Sequence, residues 1–194
     1  MSGLIDFFVR LYTAVFSAFE QLTRGWFLGA FARFAFAGVL LMYFWNSALT
    51  KISSGPLGFL TPSTGAFAQI LPQMMQAVSY DQSQIPFFPY HVIVIAGTWA
   101  EFVLPAMVVV GLFTRFASLG MIGFIVVMSY VDITGLGADA TAIGQLFDGN
   151  PSAMISDQRL LWCFLLTVLV LNGPGKISLD WVLGRFYSRR ARYH

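Results

Sequence analysis

Glu101 and Arg33 are ionisable residues inside long apolar segments of the sequence. Glu101 lies near the middle of residues 91–113, and Arg33 lies about two turns inside residues 26–52. Each segment is apolar and long enough to cross a bilayer, since roughly 20 residues suffice. A charged group within such a span marks either a functional site or an ion pair that fixes how helices pack. Counting residues from the span ends puts the two backbones within about 5 Å in depth, which predicts that Arg33 and Glu101 pair. Alternatively, the Arg33 side chain extends to the lipid headgroups, which its depth permits.

The helix that carries Glu101 has one small, polar face, which we expect to point into a helix bundle. At helical spacing this face consists of Val94, Gly97, Thr98, Glu101 and Pro105. Because Pro105 cannot donate a hydrogen bond to the carbonyl of Glu101, a bend is expected there. The face predicts a polar pocket that could hold a quinone headgroup or another small amphipathic ligand; alternatively, the charged pair only fixes the register of the bundle. The residues predicted to surround the pocket are Glu101, Arg33, Thr98 and Trp99.

Few other residues could carry redox or metal chemistry. Cys163 is the only cysteine, which excludes an intrachain disulfide and a CxxC pair. The two histidines, His91 and His194, are expected on opposite sides of the membrane, so a haem held by both is not expected. His91 has no identifiable second ligand, and no metal site is predicted. Without haem ligands, a flavin motif or a thiol pair, the chain has no intrinsic cofactor, and a redox role would require a protein partner or a bound quinone.

The composition indicates a membrane protein with one domain. Hydrophobic residues make up 57% of the 194 residues and charged residues only 10%, whereas soluble domains average about 25% charged residues. We predict an all-α fold with a four-helix membrane bundle within residues 25–175. Its spans are expected at about residues 26–52, 91–113, 116–132 and 155–172, and its long loops at 53–90 and 133–156. In the first loop, Ser63 or Thr64 could cap a short helix that Pro72 interrupts.

Both ends of the chain are predicted to be amphipathic helices at the membrane interface. Residues 1–24 place apolar and polar side chains on opposite helical faces, and residues 176–194 combine a short amphipathic helix with a basic tail. Most Lys and Arg residues fall on the side of the termini. We therefore predict cytoplasmic termini and outward-facing loops in a bacterial inner membrane. Lys51 and Asp132 would then lie near the same outer surface, which predicts a second pair, either structural or functional.

Three motifs are similar to those of the DoxX family of small integral membrane proteins. Arg33 is followed by an apolar run that ends at Lys51, Glu101 precedes LFTR at 112–115, and GPGKISLD occupies 173–180. The similarity covers about residues 28–183 and implies a four-helix membrane bundle. The positions that match the family's recurring residues are Arg33, Glu101, Arg115, Gly173 and Asp180, and Pro174 and Gly175 belong to the last motif.

The resemblance implies a range of functions rather than one activity. Family members are linked to thiosulfate:quinone oxidoreduction, to oxidative-stress complexes at the membrane, or to copper-peptide and metallophore biosynthesis, and no catalytic role transfers with the motifs. The first hypothesis is a membrane subunit of a quinone-linked or stress-related redox complex. The second is a non-catalytic anchor that recruits partner proteins, and the third is a carrier or export component for a small molecule. The sequence leaves open whether the chain is an enzyme and whether it forms a homo-oligomer, and no nucleic-acid partner is expected.

Overall fold

A computed structural model describes residues 2–55 and 58–190 of the chain. This part of the chain contains four helices long and apolar enough to cross a membrane, which confirms the predicted all-α fold class. We call them span 1 (Phe27–Leu49), span 2 (Phe87–Val110), span 3 (Thr114–Thr134) and span 4 (Met154–Asn172). The span limits expected from the sequence differ from these by at most four residues, the largest difference being at the start of span 2.

The four spans form a closed bundle in which span 1 contacts spans 2 and 4, and span 3 also contacts both of these. We call the end that carries the turn between spans 2 and 3 and both terminal helices the terminal end, and the opposite end the loop end. Apolar side chains from all four spans form a core that occupies mainly the terminal half. Its buried members are Ala32, Phe36, Leu40, Phe44, Val108, Ala117, Met121, Ile125, Leu166 and Leu169.

The outer surface of the bundle is apolar and largely exposed. In the most apolar stretch of each span, at most 28% of the residues are buried inside the protein. Exposed side chains include Phe34, Val39, Val126 and Phe164, each more than half accessible. An apolar surface of this extent would be unfavourable in water and is suited to lipid. The chain is therefore a multi-pass membrane protein.

The same side of span 1 faces the bundle along its length, because the middle of the span has more residues per turn than an α-helix. Its buried hydrophobic side chains recur every fourth position: Ala32, Phe36, Leu40, Phe44 and Ala48. In a straight α-helix such a row would rotate by about 40° at each step, because four residues exceed one turn. The π-helical stretch Ala37–Leu41 has more residues per turn and offsets this rotation. As a result, the loop end of span 1 also presents side chains to the bundle interior.

Two short helices of the first loop cover one side of the loop end. The helix Thr64–Ile70 is capped by the Ser63 hydroxyl, which accepts a hydrogen bond from Ala66 N, and the next helix, Pro72–Ala77, begins at a proline. Both features agree with the sequence prediction. Phe67 and Met75 are fully buried against span 2. We call this pair the loop helices.

The two terminal helices, Ser2–Thr23 and Leu179–Arg190, flank the bundle at its terminal end. Every residue from 3 to 22 is exposed, so the N-terminal helix does not pack on the bundle. The C-terminal helix is tied to the bundle, because the backbone N–H of Asp180 donates to the carbonyl of Gly111 at 2.8 Å. Placement of either helix at a membrane interface stays a prediction, and the basic tail beyond residue 190 lies outside the described residues.

Candidate functional site

Glu101 forms a buried ion pair with Lys51, not with Arg33 as the sequence predicted. Lys51 Nζ lies 2.9 and 2.8 Å from the two carboxylate oxygens of Glu101, and it also donates to the Ser47 hydroxyl at 2.7 Å. Both residues are at most 4% exposed. Lys51 follows the end of span 1, and its flexible side chain returns into the bundle to reach the acid. The counter-ion of the Glu101 carboxylate is therefore a residue at the loop end of span 1.

Arg33 binds backbone carbonyls at the terminal end. Its Nε donates to the carbonyl of Val108 at 3.1 Å, and its Nη2 donates to that of Val109 at 2.6 Å. Its Nη1 donates to the carbonyls of Pro174 and Ile177. The last carbonyls of a helix lack partners within the helix and carry partial negative charge. The guanidinium is therefore satisfied at the end of span 2, about 10 Å along the helix from Glu101.

Asp132 pairs with Arg159 of span 4, which corrects the expected pairing of Lys51 with Asp132. Arg159 Nη2 lies 2.5 Å from Asp132 Oδ2, and Arg159 Nη1 donates to the Ser129 hydroxyl at 2.9 Å. Arg159 is 5% exposed. Lys51 and Asp132 do lie at the same end of the bundle, as the topology predicted, but each has a different partner.

Both ion pairs line one cavity at the loop end, with a volume of about 390 Å³. Spans 2 and 3 border it with small residues, including Gly97, Gly120 and Gly123, and the loop helices contribute Gln69 and Ile70. A Cβ atom at Gly123 would meet no atom within 4 Å, so this glycine faces open space. The polar residues of the lining are Tyr43, Ser47, Lys51, Gln69, Glu101, Asp132 and Arg159. The charges of the two pairs cancel, so the lining is formally neutral, and most of its accessible area is apolar.

Of the four residues predicted to surround a pocket, only Glu101 lines this cavity. Thr98 is buried, but its hydroxyl donates to the carbonyl of Val94 in its own helix at 2.8 Å. Trp99 is 38% exposed and packs edge-on against Phe59, at 5.9 Å between ring centroids. These residues point away from the cavity because consecutive positions of a helix face different directions. The sequence reasoning missed Arg159, Tyr43 and Ser47; the signal for Arg159 was a charge inside a predicted span.

The inward face predicted for span 2 is confirmed, and the bend expected at Pro105 stays a prediction. Val94, Thr98, Glu101 and Pro105 are all buried, together with Val108. Residues Val92–Val110 form one continuous α-helix that includes Pro105. The Trp45 indole donates to the carbonyl of Phe102 at 3.1 Å, next to the Glu101 carbonyl that the proline leaves without its usual donor.

The remaining motif residues meet at the terminal end, in what we call the terminal junction: Arg33, residues 111–115 and residues 173–180. The carboxylate of Asp180 accepts hydrogen bonds from Phe113 N at 2.6 Å and Thr114 N at 2.8 Å, which caps the start of span 3. Arg115 Nη2 donates to the carbonyl of Leu171 at 3.3 Å. The anion lies at a helix N-terminus and Arg33 at a helix C-terminus, the favourable arrangement for both helix dipoles.

Glycines allow the chain to pass closely through this junction. A Cβ atom at Gly29 would lie 2.5 Å from the carbonyl oxygen of Gly173, and one at Gly175 would lie 2.5 Å from that of Trp26. Gly173 and Gly175 also have left-handed backbone conformations, with φ of 77° and 80°. The hydroxyl of Ser178 accepts from Trp181 N at 3.1 Å and begins the C-terminal helix. The GPGKISLD motif thus has a structural explanation in this chain.

The other candidate residues lie away from the cavity. His91 packs between Phe67 and Phe87, with ring centroids 4.7 and 5.4 Å away. Cys163 packs against the apolar core. Among the described residues, no group of three or more His, Cys, Asp or Glu side chains could hold a metal ion. His194 lies outside the described residues.

The fold and the cavity define the class of protein: a helical, multi-pass membrane protein with a cavity between its spans that two ion pairs line. Comparisons of the chain with models of protein families, with curated proteins and with solved structures gave no match. The chemistry of the cavity and the motifs of the sequence therefore carry the functional argument.

Proposed function

We propose that this chain is a DoxX-like membrane subunit that binds a quinone in the cavity and presents it to a redox partner. The observation that supports this most is the 390 Å³ cavity lined by two ion pairs inside an otherwise apolar bundle. Ligand sites are commonly about 300–1,000 Å³, mostly apolar, with a few placed polar groups. The three DoxX-like motifs of the sequence support the same assignment.

The ligand chemistry follows from the lining. Because each charge of the cavity already has a counter-ion, a neutral headgroup can enter without leaving an unpaired charge. Quinone carbonyls are hydrogen-bond acceptors, and Arg159 and the Tyr43 hydroxyl are donors in the cavity lining. The three N–H groups of Lys51 are already bound to Glu101 and Ser47. The apolar residues Ile93, Leu104 and Val127 complete the wall and suit a ring carried by a hydrocarbon chain.

The topology proposed for this function places both termini in the cytoplasm of a bacterial cell, with the chain in the inner membrane. The support is the distribution of Lys and Arg, which favours the terminal end on the cytoplasmic side. In this orientation the cavity lies in the outer half of the bilayer. Because the chain offers no thiol pair or haem ligands of its own, electrons would pass between the quinone and a partner protein.

Filling the cavity tests the proposal directly. Gly123 lines the cavity and faces open space, so Gly123→Leu should occupy the ligand's volume without a backbone clash. Gly38 is the matched control, since a Cβ there also meets nothing within 4 Å and the residue is exposed on span 1, outside the cavity. The measurement is the quinone that remains with protein purified in mild detergent, quantified by mass spectrometry.

The expected result is a quinone in the wild type and in Gly38→Leu, and a loss of about tenfold or more in Gly123→Leu. Equal quinone in all three proteins would contradict the proposed site. An extract that contains only phospholipid in every preparation would contradict quinone binding itself.

A second candidate function, a non-catalytic anchor, is favoured by the N-terminal helix. This helix exposes large apolar side chains, among them Phe7, Phe8, Phe16 and Phe19, and does not pack on the bundle. Such a surface could bind a membrane interface or a partner protein. If recruitment is the function, deletion of residues 2–23 should abolish the capture of partner proteins from cross-linked membranes, whereas Glu101→Gln should leave it intact. The opposite pattern would eliminate the anchor hypothesis.

A further inference from the structure

A second concavity adjoins the cavity at the loop end. It has a volume of about 660 Å³ and lies between spans 2 and 3 and the loop helices. We call it the side groove; its lining includes Leu71, Pro72, Met74, Tyr130 and Thr134. Its accessible lining is mainly apolar, and none of the described residues that line it is charged. The accessible lining of the cavity is mainly apolar as well, but four charged side chains contribute to it.

The cavity and the side groove share part of their walls. Four residues line both: Ile70, Ile93, Val127 and Val131. All four are aliphatic, and they come from a loop helix and from the two spans that face each other. A ligand that extends past these residues would pass from a lining that includes two ion pairs into one whose described residues carry no charge.

We propose that the cavity and the side groove are one binding site for a single-chain amphiphile, with its headgroup between the ion pairs and its hydrocarbon chain in the groove. This inference rests on the proposed function and specifies the ligand class: a quinone with an isoprenoid chain. Such a molecule is dissolved in the bilayer, and Val127 and Tyr130 are both more than half exposed on the outer face of span 3. The ligand therefore enters sideways from the lipid, between spans 2 and 3.

Val127 and Val126 give a matched pair of positions for the test. They are neighbours on span 3 and are 61% and 59% exposed, but Val127 lines both concavities and Val126 lines neither. A tryptophan at 127 would fill the boundary between headgroup and chain. A tryptophan at 126 adds the same bulk towards the lipid.

The experiment measures binding of two probes to the full chain in detergent: a benzoquinone without a chain, and the same ring with a long isoprenoid chain. In Val127→Trp we expect the chain-bearing quinone to bind about tenfold more weakly, with the chainless ring changed by less than about twofold. In Val126→Trp neither affinity should change. Equal effects of the two variants on the chain-bearing quinone, or equal loss of both probes in Val127→Trp, would overturn the inference.

A second measurement uses the wild-type protein and does not depend on a variant that folds. A quinone with a photoreactive group at the end of a short chain should label residues 70–74 or 130–135, mapped by mass spectrometry. Labelling spread over the outer faces of spans 1 and 4 would also overturn the inference. If the wild type binds neither probe, the proposed function itself fails; if it binds both but labels elsewhere, only the extended site fails.

Discussion

Lys51 and Glu101 form a two-point contact inside the bundle, with Lys51 Nζ within 2.9 Å of both carboxylate oxygens of the acid. The two residues are 50 positions apart in the sequence. Their contact joins the end of span 1 to the middle of span 2. The Lys51–Glu101 pair also lines the cavity, together with the pair of Asp132 and Arg159.

Breaking this pair on one side should cost more than removing it completely. Lys51→Met leaves a buried carboxylate without a counter-ion, and Glu101→Leu leaves a buried ammonium, each a loss of about 3–5 kcal/mol. The double variant replaces both charges by apolar groups and should be more stable than either single variant. Thermal unfolding of all four proteins in one detergent gives the comparison.

The control for this comparison of single and double variants is the pair predicted from the sequence, Arg33 and Glu101. These residues do not contact each other, so Arg33→Met and Glu101→Leu should add within about 0.5 kcal/mol. A coupling between Arg33 and Glu101 as large as that between Lys51 and Glu101 would contradict the pairing described here.

Arg33 should not be replaceable by lysine. Its guanidinium donates from three nitrogens to carbonyls of two separate segments, whereas an ammonium is a single point of contact. Arg33→Lys would leave carbonyls at the end of span 2 without donors, at about 1–3 kcal/mol for each one that stays buried. We expect a lower thermal midpoint and faster hydrogen exchange of residues 110–114. Arg115→Lys is the control, since Arg115 is exposed and donates one bond of 3.3 Å; an equal loss there would show that Arg33 has no special role.

The sequence predicts the architecture well, because hydrophobic length and helical spacing are local properties. The four spans and the inward face with Val94, Thr98 and Glu101 follow from them. Which residues form ion pairs, in contrast, depends on how distant parts of the chain pack together. Residue counting gave Arg33 and Glu101 similar depths, but the carbonyls at the end of span 2 are nearer partners for Arg33. Lys51 was placed at the surface because counting takes no account of a long side chain that turns back into the bundle.

The cavity was only partly predicted, because its lining also depends on contacts between elements that are distant in the sequence. Glu101 was expected to line a polar pocket and does. Arg159 was missed as a lining residue, because its contact with Asp132 depends on spans 3 and 4 being neighbours. The side groove depends on how the loop helices lie against span 3, where a Cβ at Gly135 would be 2.5 Å from Pro72 Cγ. Spacing along the chain contains no signal for such a contact.

Loss of the Asp180 carboxylate should weaken the junction between the C-terminal helix and span 3. The carboxylate accepts from two backbone N–H groups and from the Thr114 hydroxyl, so Asp180→Ala should cost about 1–2 kcal/mol as a lost helix cap. For a protein of this size, that corresponds to a thermal midpoint lower by about 2–8 °C. Asp139→Ala is the control, because Asp139 caps only the four-residue helix Ala140–Ile143 in the second loop. A midpoint unchanged in Asp180→Ala would exclude a stabilising role for the cap.

Two glycines with the same backbone conformation should differ in their tolerance of alanine. Gly25 and Gly175 have φ of 77° and 80°, so alanine at either position costs about 1–2 kcal/mol of backbone strain. A Cβ at Gly25 meets nothing within 4 Å, whereas one at Gly175 would lie 2.5 Å from the carbonyl oxygen of Trp26. Gly175→Ala must therefore also displace the chain from span 1. We expect the thermal midpoint of Gly175→Ala to fall by several degrees more than that of Gly25→Ala. Equal midpoints would mean that the close approach of residue 175 to span 1 does not contribute to stability.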